Sequence, residues 1–391
     1  MLKTAIPSIY PPEGSYEFSA VHADLSCATP GAKVHYTLDG STPTAESPVY
    51  RRSEGLLPLK GVHGSSVRRV VRAFAVADGM EPSPEVSFTY DFHCFPKGSY
   101  RHSMLREPAP DAAGLIRIED HDLDKMYLVI GSQRAVLVDG GWDAEGDLLG
   151  LCRDLTGHAL PIDLVVAHGH SDHIMQAQRF LDAGQRVYLP HADLDLAASF
   201  GVHLTPEQVT DIGDGDVLDL GGCTLRAFTI PGHTPGGIVL LDEASGDLFA
   251  SDEMGSNRRY VPDSAWLQMN PAATAESVLR RLDAFLEETR GKLRRIFTGH
   301  NDEILDANAY LETFRAALKK AVDQGPAGLS PSLRSAAESF GSGTAAIVGD
   351  WRLDPCWAAA NLRFLRDQDR DADPPRYAPG FHPDITTNLG E

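Results

Sequence analysis

The chain has 391 residues, of which 42% are apolar, and a formal net charge of −20. This length exceeds one ordinary hydrophobic core, so we expect two or three domains. The acidic balance argues against sequence-independent binding to nucleic acid and against docking on an anionic membrane, because both require clustered Lys and Arg.

The cysteines and the amino end indicate the compartment. Five cysteines are widely spread and form no Cys-x-x-Cys pair, which indicates isolated thiols rather than a disulfide framework. No stretch approaches the roughly 18 consecutive apolar residues of a membrane span. Prolines interrupt the amino end, which lacks the apolar core of a signal peptide. We therefore expect a soluble protein that stays in the cytoplasm.

Residues 1–92 have the composition of a small all-β sandwich. Short alternating runs recur between turn signals such as Asp39-Gly40. The predicted strands are Tyr16–Ser26, Lys33–Leu38, Ser66–Ala77 and Glu85–Phe92. In the basic run Arg68–Arg72 the arginines are interleaved with valines, which favours a half-exposed strand over an anion-binding patch.

Three segments of this part resemble a known family. Tyr36–Thr44, Ser47–Tyr50 and Arg72–Ser83 are similar to the immunoglobulin-like carboxyl-terminal module of chitobiases and β-hexosaminidases. The resemblance implies contact with carbohydrate as one role for the module. A rigid spacer or a dimerising sandwich is the alternative, which we favour because no cluster of exposed Trp or Tyr suited to sugar stacking is visible. A homo-oligomer stays open.

The rest of the chain predicts a different architecture. Residues 93–112 are interpreted as a connector, and residues 113–325 alternate strands with helices, which predicts an α/β layered domain. The predicted strands are Ile116–Ile118, Met126–Ile130, Ala135–Val138, Ile162–Ala167, Arg186–Leu189, Val217–Leu220, Cys223–Ile230, Asp247–Ser251 and Arg295–Thr298. The predicted helices are Glu145–Thr156, His173–Leu181, Ala192–Phe200, Pro271–Glu288 and Leu305–Gln324. Residues 326–391 form a C-terminal extension that either caps the site or reaches a neighbouring subunit.

Four potential metal ligands lie within six residues, directly after the buried strand predicted over Ile162–Ala167. They are His168, His170, Asp172 and His173. Imidazole and carboxylate groups suit zinc, iron or manganese. Asp172 and His173 would begin the following helix, where unpaired N–H groups favour a carboxylate.

Four further polar residues stand where predicted strands end in loops. They are Asp139, His233, Asp252 and His300. A rigid sheet commonly presents a site at such positions. Each residue alone has an ordinary explanation, as a turn, helix-cap or surface residue, but together with the six-residue cluster they offer enough ligands for two metal ions.

This ordered set resembles the metallo-β-lactamase superfamily of metallohydrolases, with an intact His-x-His-x-Asp-His motif. The resemblance implies a four-layer αββα sandwich over residues 113–325 and two groups of ligands. The first metal would be held by His168, His170 and His233. The second would be held by Asp172, His173 and His300, with Asp252 bridging the two metals. Asp139 would lie beside the site and hold ligands by hydrogen bonds.

The resemblance also implies the cofactor and the chemistry. His170 groups the chain with the hydrolases, since the diiron flavoprotein branch has an acidic residue there. Asp252 separates it from the antibiotic-hydrolysing branches, which commonly use a cysteine. Two divalent metal ions are expected, zinc first, with iron or manganese as alternatives. Such ions lower the pKa of a shared water and yield a hydroxide nucleophile, which Asp172, as the catalytic residue, would orient.

The substrate is the least determined part. The turns Pro231–Gly237 and Thr298–His300 are most similar to the glyoxalase II and lactonase branches, which implies a small-molecule thioester, lactone or other ester. Arg258, Arg259 and Tyr260 follow the bridging aspartate and are candidates for binding an anionic substrate group. The alternatives are a phosphodiesterase of a small phosphoester, a persulfide dioxygenase with one iron, and a glycan-binding protein with a vestigial metal site.

Overall fold

A computed structural model of the chain describes most residues up to 324 and short segments beyond. The described residues are 2–10, 12–17, 19–51, 56–109, 112–256, 264–268, 270, 273–301, 304–324, 347–348, 351–352 and 361–365. The chain divides into two compact units, one built around Met1–Pro96 and one around Lys97–Leu329. None of the described helices combines the length and the apolar character that crossing a bilayer requires.

The first unit is a sandwich of two β-sheets. One sheet has the strand order β1 (Ser8–Tyr10), β3 (Ala20–Ser26) and β5 (Leu57–Lys60). The other has the order β2 (Gly14–Tyr16), β7 (Val86–His93), β6 (Ser66–Val76) and β4 (Lys33–Thr37). The β-rich, immunoglobulin-like module predicted for this part of the chain is confirmed.

Strand β6 explains why the basic run belongs to a sheet. Val71, Ala73 and Ala75 alternate along it and are completely buried, as expected for a strand with one face on a core. Arg68 lies on the other face and pairs with Asp91 of β7 at 2.7 Å. The predicted strand Tyr16–Ser26 is instead two strands in different sheets, because β2 pairs with β7 whereas β3 pairs with β1 and β5.

The second unit contains two six-stranded sheets. The first has the order β13 (Val187–Tyr188), β12 (Ile162–Val165), β11 (Ala135–Val138), β10 (Lys125–Ile130), β9 (Gly114–Glu119) and β8 (Arg101–Arg106). The second has the order β14 (Val217–Asp219), β15 (Thr224–Thr229), β16 (Ile238–Asp242), β17 (Asp247–Ser251), β19 (Arg295–Thr298) and β20 (Leu305–Asp306). Both sheets are mixed, since β11, β12 and β13 are parallel, as are β17 and β19. Strand β8 lies within the segment 93–112 that the sequence indicated as a connector.

Helices cover the outer face of each sheet. The first sheet carries α1 (Leu148–Leu155), α2 (Ser171–Ile174), α3 (Ala177–Asp182) and α4 (Leu194–Ser199), and the second carries α5 (Ala275–Glu288) and α6 (Ala307–Gln324). Three apolar cores result, one between the sheets and one under each helix layer. The four-layer αββα architecture is therefore confirmed.

The helix predicted over His173–Leu181 is interrupted. Helix α2 ends at Ile174 and α3 begins at Ala177. The backbone between them is bonded elsewhere, because the His173 carbonyl accepts a hydrogen bond from Gly140 N–H at 2.6 Å and Met175 N–H donates to the Gly141 carbonyl at 3.2 Å. These tertiary bonds replace a continuous helical ladder and dock the metal-ligand motif on the turn after β11.

Only short pieces of the chain after residue 324 belong to the described residues. They are β21 (Ile347–Val348), β22 (Trp351–Arg352) and β23 (Asn361–Leu365). Strand β23 pairs antiparallel with β18 (Ser264–Gln268), and β21 pairs with β22. The remainder of the extension predicted over 326–391 lies outside the described residues.

Candidate metal centre

The loops at one edge of the two sheets bring the predicted polar residues together. Asp139 directly follows β11, the motif His168–His173 follows β12, and His233, Asp252 and His300 follow β15, β17 and β19. Residues distant in sequence thus meet because neighbouring strands end at the same edge. Seven of them form two adjacent groups that could each hold a metal ion.

The first group consists of three buried histidines, His168, His170 and His233. The ring centroids lie 4.6 Å apart for His168 and His170, 4.8 Å for His168 and His233, and 4.4 Å for His170 and His233. The rings are nearly perpendicular to one another, with angles of 83–88°. Three imidazoles that converge from different directions provide three of the four ligands of a tetrahedral zinc-type site.

The second group consists of Asp172, His173, Asp252 and His300. Asp252 lies between the two groups. Its Oδ2 atom is 3.1 Å from His300 Nε2 and 3.8 Å from His173 Nε2. The same oxygen is 3.9 Å from Nε2 of His233, which belongs to the first group.

Several electron-pair donor atoms of these two groups could bind a metal ion. Among the described residues, His168 Nε2, His173 Nε2 and Asp252 Oδ1 are buried and have no hydrogen-bond partner. A buried polar atom without a partner costs about 1–3 kcal/mol. A divalent cation accepts electron pairs from these atoms, so the donor set fits a metal site.

Asp139 holds two parts of the site together. Its Oδ1 atom accepts a hydrogen bond from Ala167 N–H at 2.9 Å, and its Oδ2 atom accepts one from the Ser251 hydroxyl at 2.7 Å. The same Oδ2 atom lies 3.1 Å from His173 Nδ1.

Asp139 and Ser251 adopt positive φ angles of 66° and 46°. Such conformations cost about 1–3 kcal/mol in residues other than glycine, a strain typical of functional sites.

Two buried carboxyl groups that the sequence did not predict also contact the site. Glu253 Oε1 lies 3.6 Å from His168 Nδ1, and Glu253 Oε2 accepts a hydrogen bond from His233 N–H at 3.3 Å. Asp193 accepts hydrogen bonds from Gly169 N–H at 2.9 Å and from Gly236 N–H at 2.7 Å. Asp193 thereby joins the two turns that carry the histidines of the first group.

A third missed carboxylate is Asp124, whose Oδ1 atom lies 3.0 Å from His300 Nδ1. Only Glu253 had a local signal, because it directly follows the predicted ligand Asp252. Asp124 and Asp193 are distant in sequence from every predicted ligand, and neither lies in a recognisable motif. Their contacts arise only from the tertiary fold.

The charges of the site differ between the two groups. Burial, followed by the neighbouring imidazoles of His173 and His170, lowers the pKa of His168 well below its usual value. Burial also acts to lower the pKa of His173 and of His300. The carboxylates of Asp172 and Asp139 nevertheless raise the pKa of His173 well above its usual value. The carboxylate of Asp252 does the same for the pKa of His300. At neutral pH His168 is therefore a neutral electron-pair donor, whereas the second group is a set of ion pairs until a cation displaces the protons.

The candidate substrate residues Arg258, Arg259 and Tyr260 lie outside the described residues. The described residues nearest to them in sequence are Ser256 and, after the gap, Ser264. Their predicted role in binding an anionic group stays a prediction.

Comparison with known proteins gives two family matches. Residues 125–329 match the metallo-beta-lactamase superfamily, and residues 11–88 match the chitobiase/beta-hexosaminidase C-terminal domain. An uncharacterized protein of Aquifex aeolicus is 28% identical over 185 residues, which are 44% of this chain and 81% of that protein. An uncharacterized protein of Mycobacterium tuberculosis is 35% identical over 122 residues, which are 27% of this chain and 53% of that protein. The match thus spans about half the length of the mycobacterial relative.

Two solved structures that are similar to this chain come from the same superfamily of proteins. The DIM-1 metallo-beta-lactamase has 17% sequence identity and a TM-score of 0.44, with 56% of this chain and 98% of that chain covered. A metallo-beta-lactamase superfamily protein from Sulfolobus tokodaii has 17% identity and a TM-score of 0.40, with 58% and 87% covered. The family match carries the assignment, since it covers more than half of the 391 residues. The chain belongs to the metallo-β-lactamase superfamily of metal-dependent hydrolases.

Proposed function

We propose that this chain is a binuclear metallohydrolase that cleaves an ester-type bond in a small molecule, with a thioester or lactone as the first candidates. The position of Asp252 carries the proposal. One carboxylate oxygen lies within 3.9 Å of Nε2 atoms from both ligand groups. This is the placement expected of a group that bridges two cations separated by about 3.5–4 Å.

The residues divide into two binding sets in this proposal. His168, His170 and His233 would hold one ion. Asp172, His173 and His300 would hold the other, and Asp252 would bind both. The buried atoms of His168, His173 and Asp252 that have no hydrogen-bond partner among the described residues support this assignment. Zinc is the first candidate, because three imidazoles and carboxylate oxygens are its usual ligands.

Exposure indicates the side from which the substrate approaches. The side chain of Asp172 is 27% exposed, whereas that of His168 is 0% and that of His173 is 1% exposed. The exposed edge of the site is therefore the Asp172 edge, where a substrate carbonyl can reach the second group. Bound divalent ions supply Lewis acidity and lower the pKa of a coordinated water. In this proposal Asp172 would accept a hydrogen bond from the attacking water and orient it.

The charge of the ligand set suits a reaction that develops negative charge. Asp172 and Asp252 are the only carboxylates among the seven ligands. Within this set of seven ligands, two divalent ions would leave a net positive charge, which stabilises the oxyanion that forms when an ester carbonyl is attacked. Asp139 would contribute by holding His173 in place rather than by touching the substrate.

A substrate screen with a matched variant tests the proposal. Metal content is measured first, and turnover is then assayed on thioesters, lactones, phosphodiesters and β-lactams. We expect ester hydrolysis that chelation abolishes and that His170→Ala reduces by at least 100-fold. The matched control is His158→Ala, because His158 is an exposed histidine outside the site, and its activity should equal that of the wild type.

Three results would contradict the proposal in whole or in part. Undiminished ester turnover in His170→Ala would refute the assigned site. One bound iron together with oxygen uptake on a persulfide would replace hydrolysis by a dioxygenase reaction. Turnover confined to phosphodiesters would keep the metal site but change the bond that is cleaved.

A further inference from the structure

A buried carboxylate, Asp124, lies behind the second ligand group. The residue is 5% exposed, and its Oδ1 atom lies 3.0 Å from His300 Nδ1. The other ring nitrogen of His300, Nε2, points at Asp252 and Asp172, at 3.1 and 3.5 Å. The imidazole therefore spans from Asp124 on one side to the candidate metal position on the other.

This geometry fixes the tautomer of His300. His300 Nδ1–H donates to Asp124 Oδ1 across this 3.0 Å contact, so the contact places a proton on Nδ1. Once a cation displaces the proton on Nε2, the electron pair of that atom is directed toward the candidate metal position beside Asp252 and Asp172. An imidazole held in this way is a better ligand, because its orientation is set before the metal binds.

The backbone beside Asp124 fixes the distance between the two residues. Lys125 N–H donates to the carbonyl of Gly299 at 2.8 Å, and the Tyr127 hydroxyl donates to the carbonyl of Thr298 at 3.0 Å. The start of β10 is thus tied directly to the turn that carries His300. A Cβ atom on Gly299 would lie 2.6 Å from Asp252 Oδ1, so this turn also has no space to shift toward the site.

A second buried carboxylate, Asp120, holds the turn that presents Asp124. Its Oδ1 atom accepts hydrogen bonds from the N–H groups of Asp122 and Asp124 at 2.9 and 3.1 Å. Its Oδ2 atom accepts hydrogen bonds from Trp142 N–H at 2.7 Å and Asp143 N–H at 3.2 Å. Asp120 therefore joins the Asp124 turn to the loop that follows Asp139, and the two loops that orient His300 and His173 are fixed relative to each other.

We propose that Asp124 is a positioning residue that fixes His300 as a ligand and thereby determines whether the site retains a second metal ion. The inference rests on the proposed binuclear function. It assigns to one hydrogen bond a roughly 10- to 100-fold difference in the affinity for the second ion. Asp124 contacts the second group through His300, so we expect the affinity for the first ion to be independent of it.

Zinc titration against a chromophoric chelator tests this role, with the affinities for the first and second ions resolved separately. In Asp124→Ala we expect a 10- to 100-fold loss of affinity for the second ion, with the first affinity unchanged. In Asp124→Asn we expect a loss of about tenfold or less, because the amide oxygen still accepts a hydrogen bond from Nδ1–H. The matched control is Asp122→Ala, on the same turn, which should bind both ions like the wild type.

The outcomes separate this inference from the proposed function. A wild-type chain that binds only one zinc ion would overturn the binuclear proposal and this inference with it. A wild type with two ions and an Asp124→Ala variant that binds both with unchanged affinity would overturn the role of Asp124 alone. Equal loss of both affinities would also overturn it, because it would indicate general structural damage. If Asp124→Ala fails to fold by circular dichroism, Asp124→Asn decides, and wild-type second-ion affinity in that variant overturns the inference.

Discussion

Removal of the Asp247 carboxylate should destabilise the second unit strongly. Asp247 is completely buried, and its carboxylate accepts two hydrogen bonds from Arg295, each at 2.7 Å, and one from Arg106 at 2.7 Å. Arg106 belongs to β8 of the first sheet, whereas Asp247 and Arg295 belong to β17 and β19 of the second. One carboxylate thus joins the two sheets, at the start of the strand that leads to Asp252.

The expected size follows from burial. Breaking a buried ion pair by removing one partner typically costs about 3–5 kcal/mol. The side chains of Arg106 and Arg295 are 20% and 36% exposed, so water partly replaces the lost carboxylate, and we expect the lower end, about 3 kcal/mol, for Asp247→Ala. For a unit of this size each kcal/mol lowers Tm by about 2–4 °C, which gives a decrease of about 6–12 °C.

Differential scanning calorimetry under identical metal conditions measures the effect. The matched control is Glu287→Ala, which breaks an ion pair with Arg290 whose side chains are 68% and 75% exposed. Exposed pairs contribute less than about 1 kcal/mol, so the control should shift Tm by no more than a few degrees. A shift in Asp247→Ala that does not exceed the shift in the control would refute the reasoning.

Two further substitutions and one measurement of proton release probe the candidate metal centre itself. Asp139→Asn keeps the size of the side chain but removes the charged acceptor beside His173 Nδ1, so the affinity for the second ion should fall about 10- to 100-fold. The control is Asp147→Asn, at the exposed N-cap of α1, which should leave this affinity unchanged. Equal affinities in the two variants would contradict the role of Asp139. Asp193→Ala leaves two buried backbone N–H groups without their acceptor, which should lower the free energy of unfolding by about 2–4 kcal/mol. Urea unfolding measures this free energy, and a loss below about 1 kcal/mol would contradict the role of Asp193. Metal uptake at pH 7 should release protons, because the pKa values of His173 and His300 in the metal-free chain lie above the usual 6.5 and both start protonated. The affinity for metal should therefore rise with pH. Calorimetric titration in buffers of different ionisation enthalpy counts the protons released on metal binding, and metal uptake without proton release would contradict the expected pH dependence.

The candidate metal ligands could be recognised in the sequence because they lie at strand ends in a fixed order. The motif His168–His173 supplies four of them in six residues, and the remaining three each follow an apolar run. The predicted boundaries match the structure in β11 and β17, whereas β12 ends at Val165, two residues before the predicted end, and the apolar strand β16 was not predicted. The sheet layers followed from the alternation of strands and helices, since such units pack in few ways.

What the sequence did not reveal depends on tertiary contacts. The interruption between α2 and α3 arises from hydrogen bonds of His173 and Met175 to the turn after β11, which no helical periodicity encodes. Asp124 and Asp193 resemble ordinary loop aspartates in the sequence, and only the fold places them against His300 and the turns of the first group. Strand β8 was missed because its residues are mixed polar and apolar, and it gains its place by pairing with β9.

The most direct test of the binuclear account is anomalous diffraction at the zinc absorption edge from crystals of the zinc-loaded chain. The account predicts two peaks about 3.5–4 Å apart, one beside His168, His170 and His233, and one beside Asp172, His173 and His300, with the Asp252 carboxylate between them. A single peak, or peaks away from these side chains, would contradict it.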